Sequence, residues 1–582
     1  MRMTYRLNMP SAAALALAAL LAACAESSDP IAQLSPATAA AFSGDCADLT
    51  ARISSLANTS ITAVNKITVG TLKIGGVDIP EHCQVLGNMY SRTSTVDGKS
   101  YAVGFEMRLP KNWNGRFFHQ GNGGIDGAVS TAQGSFGGGA VTNALFQGFA
   151  VLSSDAGHSG SVPDFGIDPQ ARLDYGYQAV GKLTPMAKDV IKAAYTKFPD
   201  RSYFGGCSNG GRHALVTASR YPSDYDGILA GAPGYNLPKA AVANLAGARL
   251  YATVATAAPP INTALTLSSA FTDTERRLVA TKILEKCDAL DGVTDGLVQD
   301  VAACQTRFSL ATDVPTCSGA RDGTCLSAAQ KTVIAKIFSG TTTSDNKLIY
   351  ASFPYDAGIS GGAAPTVPGP PGSGIPFWEF FASLNLDAGA TGIIFSSTPA
   401  SPVGFDGPNF ALTTDIDVLA GKMTSTAGIY TESAMGFMTP PNPTQMYPLR
   451  NRGGKILLYH GVSDPIFSVN DTEALYTGLL ANNYAYTDRF TRFFRVPGMG
   501  HCSGGPAADQ FDMLTPLVNW VEQGQAPSQI IATARGVGNA GGANADVPAT
   551  WAVNRTRPLC PYPKVARYKS GDAELAASFA CE

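Results

Sequence analysis

The pentapeptide Gly206-Cys207-Ser208-Asn209-Gly210 fits the pattern G-x-S-x-G; a short apolar run precedes it and a helix-forming stretch, Gly211 to Arg220, follows. Between a strand and a helix the two glycines permit a sharp turn. Such a turn holds a serine in strained backbone geometry, aims its hydroxyl outward and frees the next amide, that of Asn209, to stabilise an oxyanion. A serine hydroxyl is a weak nucleophile and needs a base. The chain offers His82, His119, His158, His213, His460 and His501. After a serine on a turn of this kind the acid and then the base follow in chain order, and with an acid in between that order leaves His460 and His501. His460 ends the strand-like Lys455-Ile456-Leu457-Leu458-Tyr459 and precedes Gly461-Val462-Ser463-Asp464, which puts Asp464 on the loop after a strand. His501 lies in the Gly-rich stretch Pro497-Gly498-Met499-Gly500-His501, a loop suited to presenting a base. Ser208, Asp464 and His501 thus read as nucleophile, acid and base, and His460 as a structural histidine bonded to the acid loop. Cys207 directly precedes the serine and Cys502 directly follows the histidine. A bond between them would bring their Cα atoms to about 4.4–6.8 Å and strap the pair together.

A second cluster runs Cys287-Asp288-Ala289-Leu290-Asp291-Gly292-Val293-Thr294-Asp295-Gly296-Leu297, with carboxylates interrupted by turn-forming glycines. Flexible oxygen-rich sets of this kind suit Ca²⁺. The loop is not an EF-hand, because the last position of such a loop counted from Asp288 is Gln299 rather than a glutamate. Zinc is not indicated, since the close-spaced Cys and His ligands it uses are absent.

Elements must carry these groups to one place. Short apolar runs (Tyr101 to Phe105, Gly148 to Leu152, Ser202 to Phe204, Lys455 to Tyr459) alternate with Gly-rich turns and helical stretches such as Leu183 to Phe198 and Gln510 to Gln523. That alternation predicts βα units and a doubly wound, mainly parallel sheet. Over residues 235–447 the texture changes to four cysteines, the acidic loop and a Pro/Gly-rich passage from Ala363 to Pro376. An inserted, loop-rich second domain is expected there, splitting the core into 46–234 and 448–582. No internal repeat is present. With 45% hydrophobic and 15% charged residues and a net charge of -3, the chain is neither a disordered acidic segment nor a basic nucleic-acid binder.

The N-terminus carries Arg2 and Arg6, an apolar run from Ala12 to Leu21, then Leu21-Ala22-Ala23-Cys24. Positive charge, a short apolar run and small residues read as a secretory signal over 1–23, too short to span a bilayer. The Leu-Ala-Ala-Cys tetrapeptide resembles the bacterial lipobox, in which Cys24 would be lipidated, with 24–45 as a loose tether. Because Ala25 rather than Asp follows, that resemblance implies an outer-membrane lipoprotein, or otherwise a periplasmic or secreted protein, touching membrane only through its anchor. Export suits a cysteine-rich chain.

The quoted motifs, with Gly211-Arg212, Asp226-Gly227-Ile228-Leu229-Ala230-Gly231-Ala232-Pro233, Gly500-His501-Cys502 and Arg557-Pro558-Leu559-Cys560-Pro561-Tyr562-Pro563, resemble the tannase and feruloyl esterase family over most of the mature chain. The resemblance implies an α/β-hydrolase fold with a large inserted lid domain. It makes Ser208 the nucleophile, His501 the general base and then acid, and Asp464 the orienting carboxylate. A second oxyanion donor would come from Gly121-Asn122-Gly123-Gly124, with Gly123 favoured over Gly124. It supports structural Ca²⁺ on the side chains of Asp288, Asp291 and Asp295 and the main-chain oxygens of Val293 and Leu297. With proximity in sequence, it implies the pairs Cys46 with Cys83, Cys287 with Cys304, Cys317 with Cys325 and Cys560 with Cys581.

The implied activity is hydrolysis of aromatic esters such as ferulates, gallates or terephthalate monoesters, with Phe377 and Trp378, and beyond them Phe380, Phe381 and Phe405, as candidate walls. Family members that take terephthalate monoesters clamp the free carboxylate with a lid arginine. This chain has no arginine between Arg321 and Arg450, and Lys347 and Lys422 lack the bidentate fork. Phenolic esters therefore rank first. A peptidase of the same fold is a rival. A catalytically silent, surface-anchored binding protein is the reading from another class, and the presence of all three triad residues counts against it.

Overall fold

The computed structural model describes residues 31–138, 141–361 and 382–582; the signal sequence and Cys24 lie outside them, as do Phe377, Trp378, Phe380 and Phe381. Its organising element is a nine-stranded sheet. The strands are β1 (Thr59–Ile67), β2 (His82–Thr93), β3 (Ser100–Pro110), β4 (Arg116–Gln120), β5 (Ala150–Ser154), β6 (Arg201–Cys207), β7 (Gly227–Gly231), β8 (Lys455–Gly461) and β9 (Thr491–Val496). Across the sheet they lie in the order β9-β8-β7-β6-β4-β5-β3-β2-β1. From β9 to β5 neighbours run parallel. From β5 to β1 they run antiparallel, unlike the βα texture expected from Cys46 onward. For β2 and β3 the reason is connection length: residues 94–99 between them suffice for a hairpin, whereas a parallel crossover needs about a dozen residues or more.

Side chains alternate across the central strands as a pleat requires. Ile228 and Ala230 of β7, with Ile456 and Leu458 of β8, pack in the layer under helices α1 (Ala179–Tyr195) and α2 (Asn209–Arg220). Leu229, Leu457 and Tyr459 face the opposite layer, with Leu517 and Trp520 of the helix Leu514–Gln523. Burial on both faces makes β7 and residues 456–459 of β8 read as continuous apolar runs. Helix bounds shift from the sequence reading. The helix expected from Gln510 starts at Leu514, because Asp512 Oδ1 accepts from the amides of Leu514 (2.8 Å) and Thr515 (3.0 Å) and so caps it there.

Between β7 and β8 the chain leaves the sheet and builds helices around a buried cluster that includes Leu267, Val279, Ile283, Leu384 and Phe395 and that Tyr101, Phe165, Tyr175 and Phe467 of the flanking core share. All five cystines of the sequence reading are formed: Cys46–Cys83, Cys207–Cys502, Cys287–Cys304, Cys317–Cys325 and Cys560–Cys581. The stretch expected to be a loose tether is docked from Gln33 onward. Gln33 Nε2 donates to Val521 O (2.9 Å), the Ala37 amide to Glu522 Oε2 (2.8 Å) and Thr38 to Asp200 (2.8 Å). Ala40–Ala41 then pairs with Asn112–Trp113. Carboxylates presented by the core satisfy this backbone, which composition alone does not reveal. Among the described residues no helix is long and apolar enough to cross a membrane.

Candidate active site

Four loops meet at the carboxyl edge of the parallel strands, where ligands of open α/β sheets bind. They follow β4, β6, β8 and β9. Ser208 closes β6 and opens α2 at φ 65°, ψ -127°, a sparsely populated region for a residue with a side chain, sustained only where the surroundings over-determine it. Two contacts do so. The Ser208 amide donates to Gly231 O (3.0 Å) at the end of β7. A Cβ on Gly210 would lie 2.3 Å from Gly121 O, so the turn closes against the loop after β4 only with glycine there. As the first residue of α2, Asn209 has an amide with no acceptor inside the helix.

The acid and base come from the loops after β8 and β9. A Cβ on Gly461 would meet Gly500 O at 2.3 Å and Met499 O at 2.4 Å, so glycine lets these two loops lie in contact. Asp464 Oδ2 is 2.7 Å from His501 Nδ1. Its other oxygen accepts from the amides of Ile466 (2.9 Å) and Phe467 (3.0 Å). Burial alone would push the Asp464 carboxyl up; His501 and His460 outweigh it and hold it well below the usual carboxylate range. An ionised Asp464 fixes the proton of His501 on Nδ1 and leaves Nε2 as the basic nitrogen. The Phe467 ring packs edge-on against His501, with centroids 5.4 Å apart.

His460 is fully buried; its Nε2 lies 2.9 Å from Phe467 O and 3.2 Å from Asp464 Oδ2, and its Nδ1 2.8 Å from Thr472 Oγ1. A carbonyl only accepts, so Nε2 carries the proton and Nδ1 takes the threonine hydroxyl. It braces the acid loop, as the sequence reading has it.

The Cys207–Cys502 bond sets those Cα atoms 6.0 Å apart across a sequence separation of 295. Ser208 and His501 both line one cavity of about 320 Å³, with Gly123, Gly124, Asn209 and both cysteines. The rest of its described wall is mainly apolar: Ile125, Leu237, Leu386, Ala390, Phe395, Ile466 and Phe467, with Asp387. Small-molecule sites commonly measure about 300–1,000 Å³. An aromatic acyl group suits such a slot. Among the described lining residues there is no lysine or arginine.

Phe405 is not among that wall; it packs on Phe410, with ring centroids 5.2 Å apart. Lys347 is exposed and pairs with Asp345 (2.8 Å), and Lys422 is likewise absent from the wall. The sequence reading missed Asp356, a buried carboxylate in the chain between β7 and β8. Its Oδ2 accepts from Ser463 Oγ (2.6 Å) in the acid loop and from the Gly498 amide (2.8 Å) in the base loop. No motif surrounds Asp356; only the folded contact identifies it.

In the acidic loop, Asp288 accepts from the amides of Asp295 and Gly296 (2.9 Å each), and Asp291 Oδ1 accepts from the Val293 amide (3.2 Å). Asp291 Oδ2 is buried without a partner. Burial, with Asp295 and Asp288 nearby, pushes the Asp291 carboxyl up to about 7. An orphaned oxygen among like charges fits a loop that takes a cation. Asp295 is turned toward Arg557, whose Nε lies 3.1 Å from it. Among the described residues no group of three His, Cys, Asp or Glu side chains is gathered for a metal.

The sequence profile described as tannase and feruloyl esterase matches residues 83–582. The chain is 40% identical over 530 residues to the mono(2-hydroxyethyl) terephthalate hydrolase of Piscinibacter sakaiensis, covering 86% of this chain and 85% of that protein. It is 29% identical to a probable feruloyl esterase B-2 of Aspergillus flavus, covering 74% and 77% respectively. The crystal structure of feruloyl esterase B from Aspergillus oryzae superimposes with a TM-score of 0.70 at 23% identity, over 92% of this chain and 99% of that one, a likeness of fold.

Proposed function

The chain belongs to the tannase and feruloyl esterase family of carboxylic ester hydrolases, with an α/β-hydrolase fold, and from that premise we propose that it hydrolyses phenolic aromatic esters through Ser208, His501 and Asp464. The observation that carries this reading is the 2.7 Å Asp464–His501 pair opening on the same apolar cavity as the strained serine. Ser208 Oγ attacks the ester carbonyl as His501 Nε2 takes its proton. The tetrahedral oxyanion is held by the amides of Asn209 and of Gly123 or Gly124. It collapses, the alcohol leaves with the proton from His501, and water repeats the sequence on the acyl-enzyme to release the acid.

A feruloyl or galloyl ester presents a neutral aromatic acyl group to this cavity. A second reading, hydrolysis of a terephthalate monoester, is supported by the 40% identity to the Piscinibacter enzyme. Against it stands the lack of a cation: the described wall has no lysine or arginine, and residues 362–381 contain neither. Methyl ferulate, methyl gallate, a terephthalate monoester and a peptide anilide compared by kcat/KM discriminate these readings. Preference for the first two is expected; preference for the terephthalate ester would reverse the order, and activity on none would revive the binding protein.

Structural Ca²⁺ on Asp288, Asp291, Asp295 and the carbonyls of Val293 and Leu297 belongs to the same proposal, supported by the orphaned Asp291 oxygen. The ion would neutralise the crowded carboxylates there. A chelator should lower the melting temperature and added Ca²⁺ restore it; an unchanged melting curve would remove the ion from the account. Export with lipidation at Cys24 is read from the N-terminal residues alone and is tested by the mass of the mature N-terminal peptide.

A further inference from the structure

Just after Gly123 and Gly124 the chain turns back on itself, and the Asp126 amide donates to the Gly123 carbonyl (3.2 Å). Asp126 sits at φ 58°, a left-handed conformation that aspartate tolerates better than most residues. Its carboxylate is 2% exposed. Such a group is stable in an interior only when donors surround it. One oxygen, Oδ2, lies 2.8 Å from Asn209 Nδ2 and 2.8 Å from His213 Nε2. Burial and the adjacent Arg212 push His213 below its usual range, so its ring is neutral and Nε2 carries the single proton that the carboxylate accepts.

Asn209 is gripped from its other side as well. Its Oδ1 accepts from Arg212 Nε (2.7 Å), and Arg212 also donates to the carbonyls of Tyr175 (3.0 Å), Gly176 (2.8 Å) and Met438 (3.3 Å) and lies against the His213 ring. Asp126 therefore touches both walls of the oxyanion site: by its amide the Gly123 turn after β4, by its carboxylate the residue after Ser208.

We propose that Asp126 is the positioning residue of the oxyanion hole, holding the Asn209 and Gly123 amides at the spacing that a tetrahedral intermediate requires. This rests on the reading that Ser208 is the nucleophile and that these amides receive the oxyanion. Such donors act only when they lie about 2.7–3.1 Å from the developing charge, and losing one lowers kcat by about 10²–10³-fold. The ester is neutral before attack, so KM should move little.

The test compares wild type with Asp126→Ala, Asp126→Asn and Ser208→Ala on methyl ferulate, and measures Ki for an aryl trifluoromethyl ketone, to which Ser208 adds to form a stable tetrahedral oxyanion. Asp126→Ala should lose about 10²-fold in kcat, with KM within about threefold and Ki for the ketone raised by a similar factor. Asp126→Asn keeps an acceptor for Asn209 and should recover most of the rate. A folded Asp126→Ala with wild-type kcat, or one whose kcat falls while ketone affinity stays, overturns the proposal. Should Asp126→Ala fail to fold, Asn209→Ala cuts the same link, keeps its own amide and must show the same signature. An active Ser208→Ala would sink the underlying mechanism instead; an inactive one beside an unaffected Asp126→Ala sinks only this proposal.

Discussion

Replacing Cys207 and Cys502 together by alanine removes the covalent link between the strand end that carries Ser208 and the loop that carries His501, without leaving a free thiol. The bond spans a separation of 295 residues. Chain-entropy closure of a loop that long would stabilise the fold by about 5–6 kcal/mol, and the usual measured effect of a disulfide, about 2–4 kcal/mol, is the safer expectation. Calorimetry should accordingly show a fall in melting temperature of several degrees. Stability is half of the expectation. The 6.0 Å Cα separation also fixes how the base loop sits over the elbow. Without it, the Asp464–His501 hydrogen bond, the backbone contact at Gly461 and the Asp356 bridge still tie the base loop to the acid loop, and the Gly138 amide still donates to the Cys502 carbonyl (2.9 Å). None of these is a covalent tie to the strand end that carries Ser208. A shift of about 1 Å between Ser208 and His501 costs on the order of 10²-fold in rate. Initial rates on methyl ferulate, taken well below the variant's melting temperature, should therefore show kcat reduced by about 10–100-fold. A folded variant with wild-type kcat and a lowered melting temperature would show that the strap serves stability alone. No change in either would refute both parts of the reasoning.

Asp356→Ala should lower both melting temperature and kcat, because it strands the Ser463 hydroxyl and the Gly498 amide in the interior at about 1–3 kcal/mol each. Asp356→Asn keeps an acceptor and should lie between that variant and wild type; equal melting curves for all three would contradict the bridge. Asp155, whose Oδ1 accepts from the amides of Gly104 (3.0 Å) and Gly157 (2.8 Å), is pushed by burial up to about 7. Its unfolded value is about 3.9. From about pH 4 to 7 the folded state therefore holds a proton that the unfolded chain has lost, and stability from this group declines as pH rises through that window. Asp155→Asn, having no such proton to lose, should gain melting temperature relative to wild type between pH 4.5 and pH 8; a constant difference would contradict the assignment.

The features legible in the sequence are those written in short, contiguous spacings. The Gly-Cys-Ser-Asn-Gly motif with Cys207 inside it, the Gly-His-Cys loop with Cys502 and the His-Gly-Val-Ser-Asp run each declare their chemistry locally, and chain order then relates them. β6 and β8 were also legible as strands, and in β8 burial on both faces makes residues 456–459 a continuous apolar run. The antiparallel half of the sheet was not: β1 to β3 carry a strand signal, but the direction of pairing depends on the turns between them. Asp126 and Asp356 were invisible for a different reason. A buried carboxylate acquires its role from donors that the fold brings to it, here from Asn209 and His213 or from Ser463 and Gly498, far away in the chain. Phe405 shows the converse: an aromatic near the expected lid that packs on Phe410 and adds nothing to the described cavity wall.

The central claim is that Ser208 is the nucleophile of an aromatic ester hydrolase, and kcat for methyl ferulate in Ser208→Ala, with circular dichroism and melting temperature recorded on the same sample, tests it most directly. The account predicts an intact fold and a fall in kcat on the order of 10⁴-fold or more. A folded Ser208→Ala enzyme that keeps its rate within tenfold of wild type would contradict it.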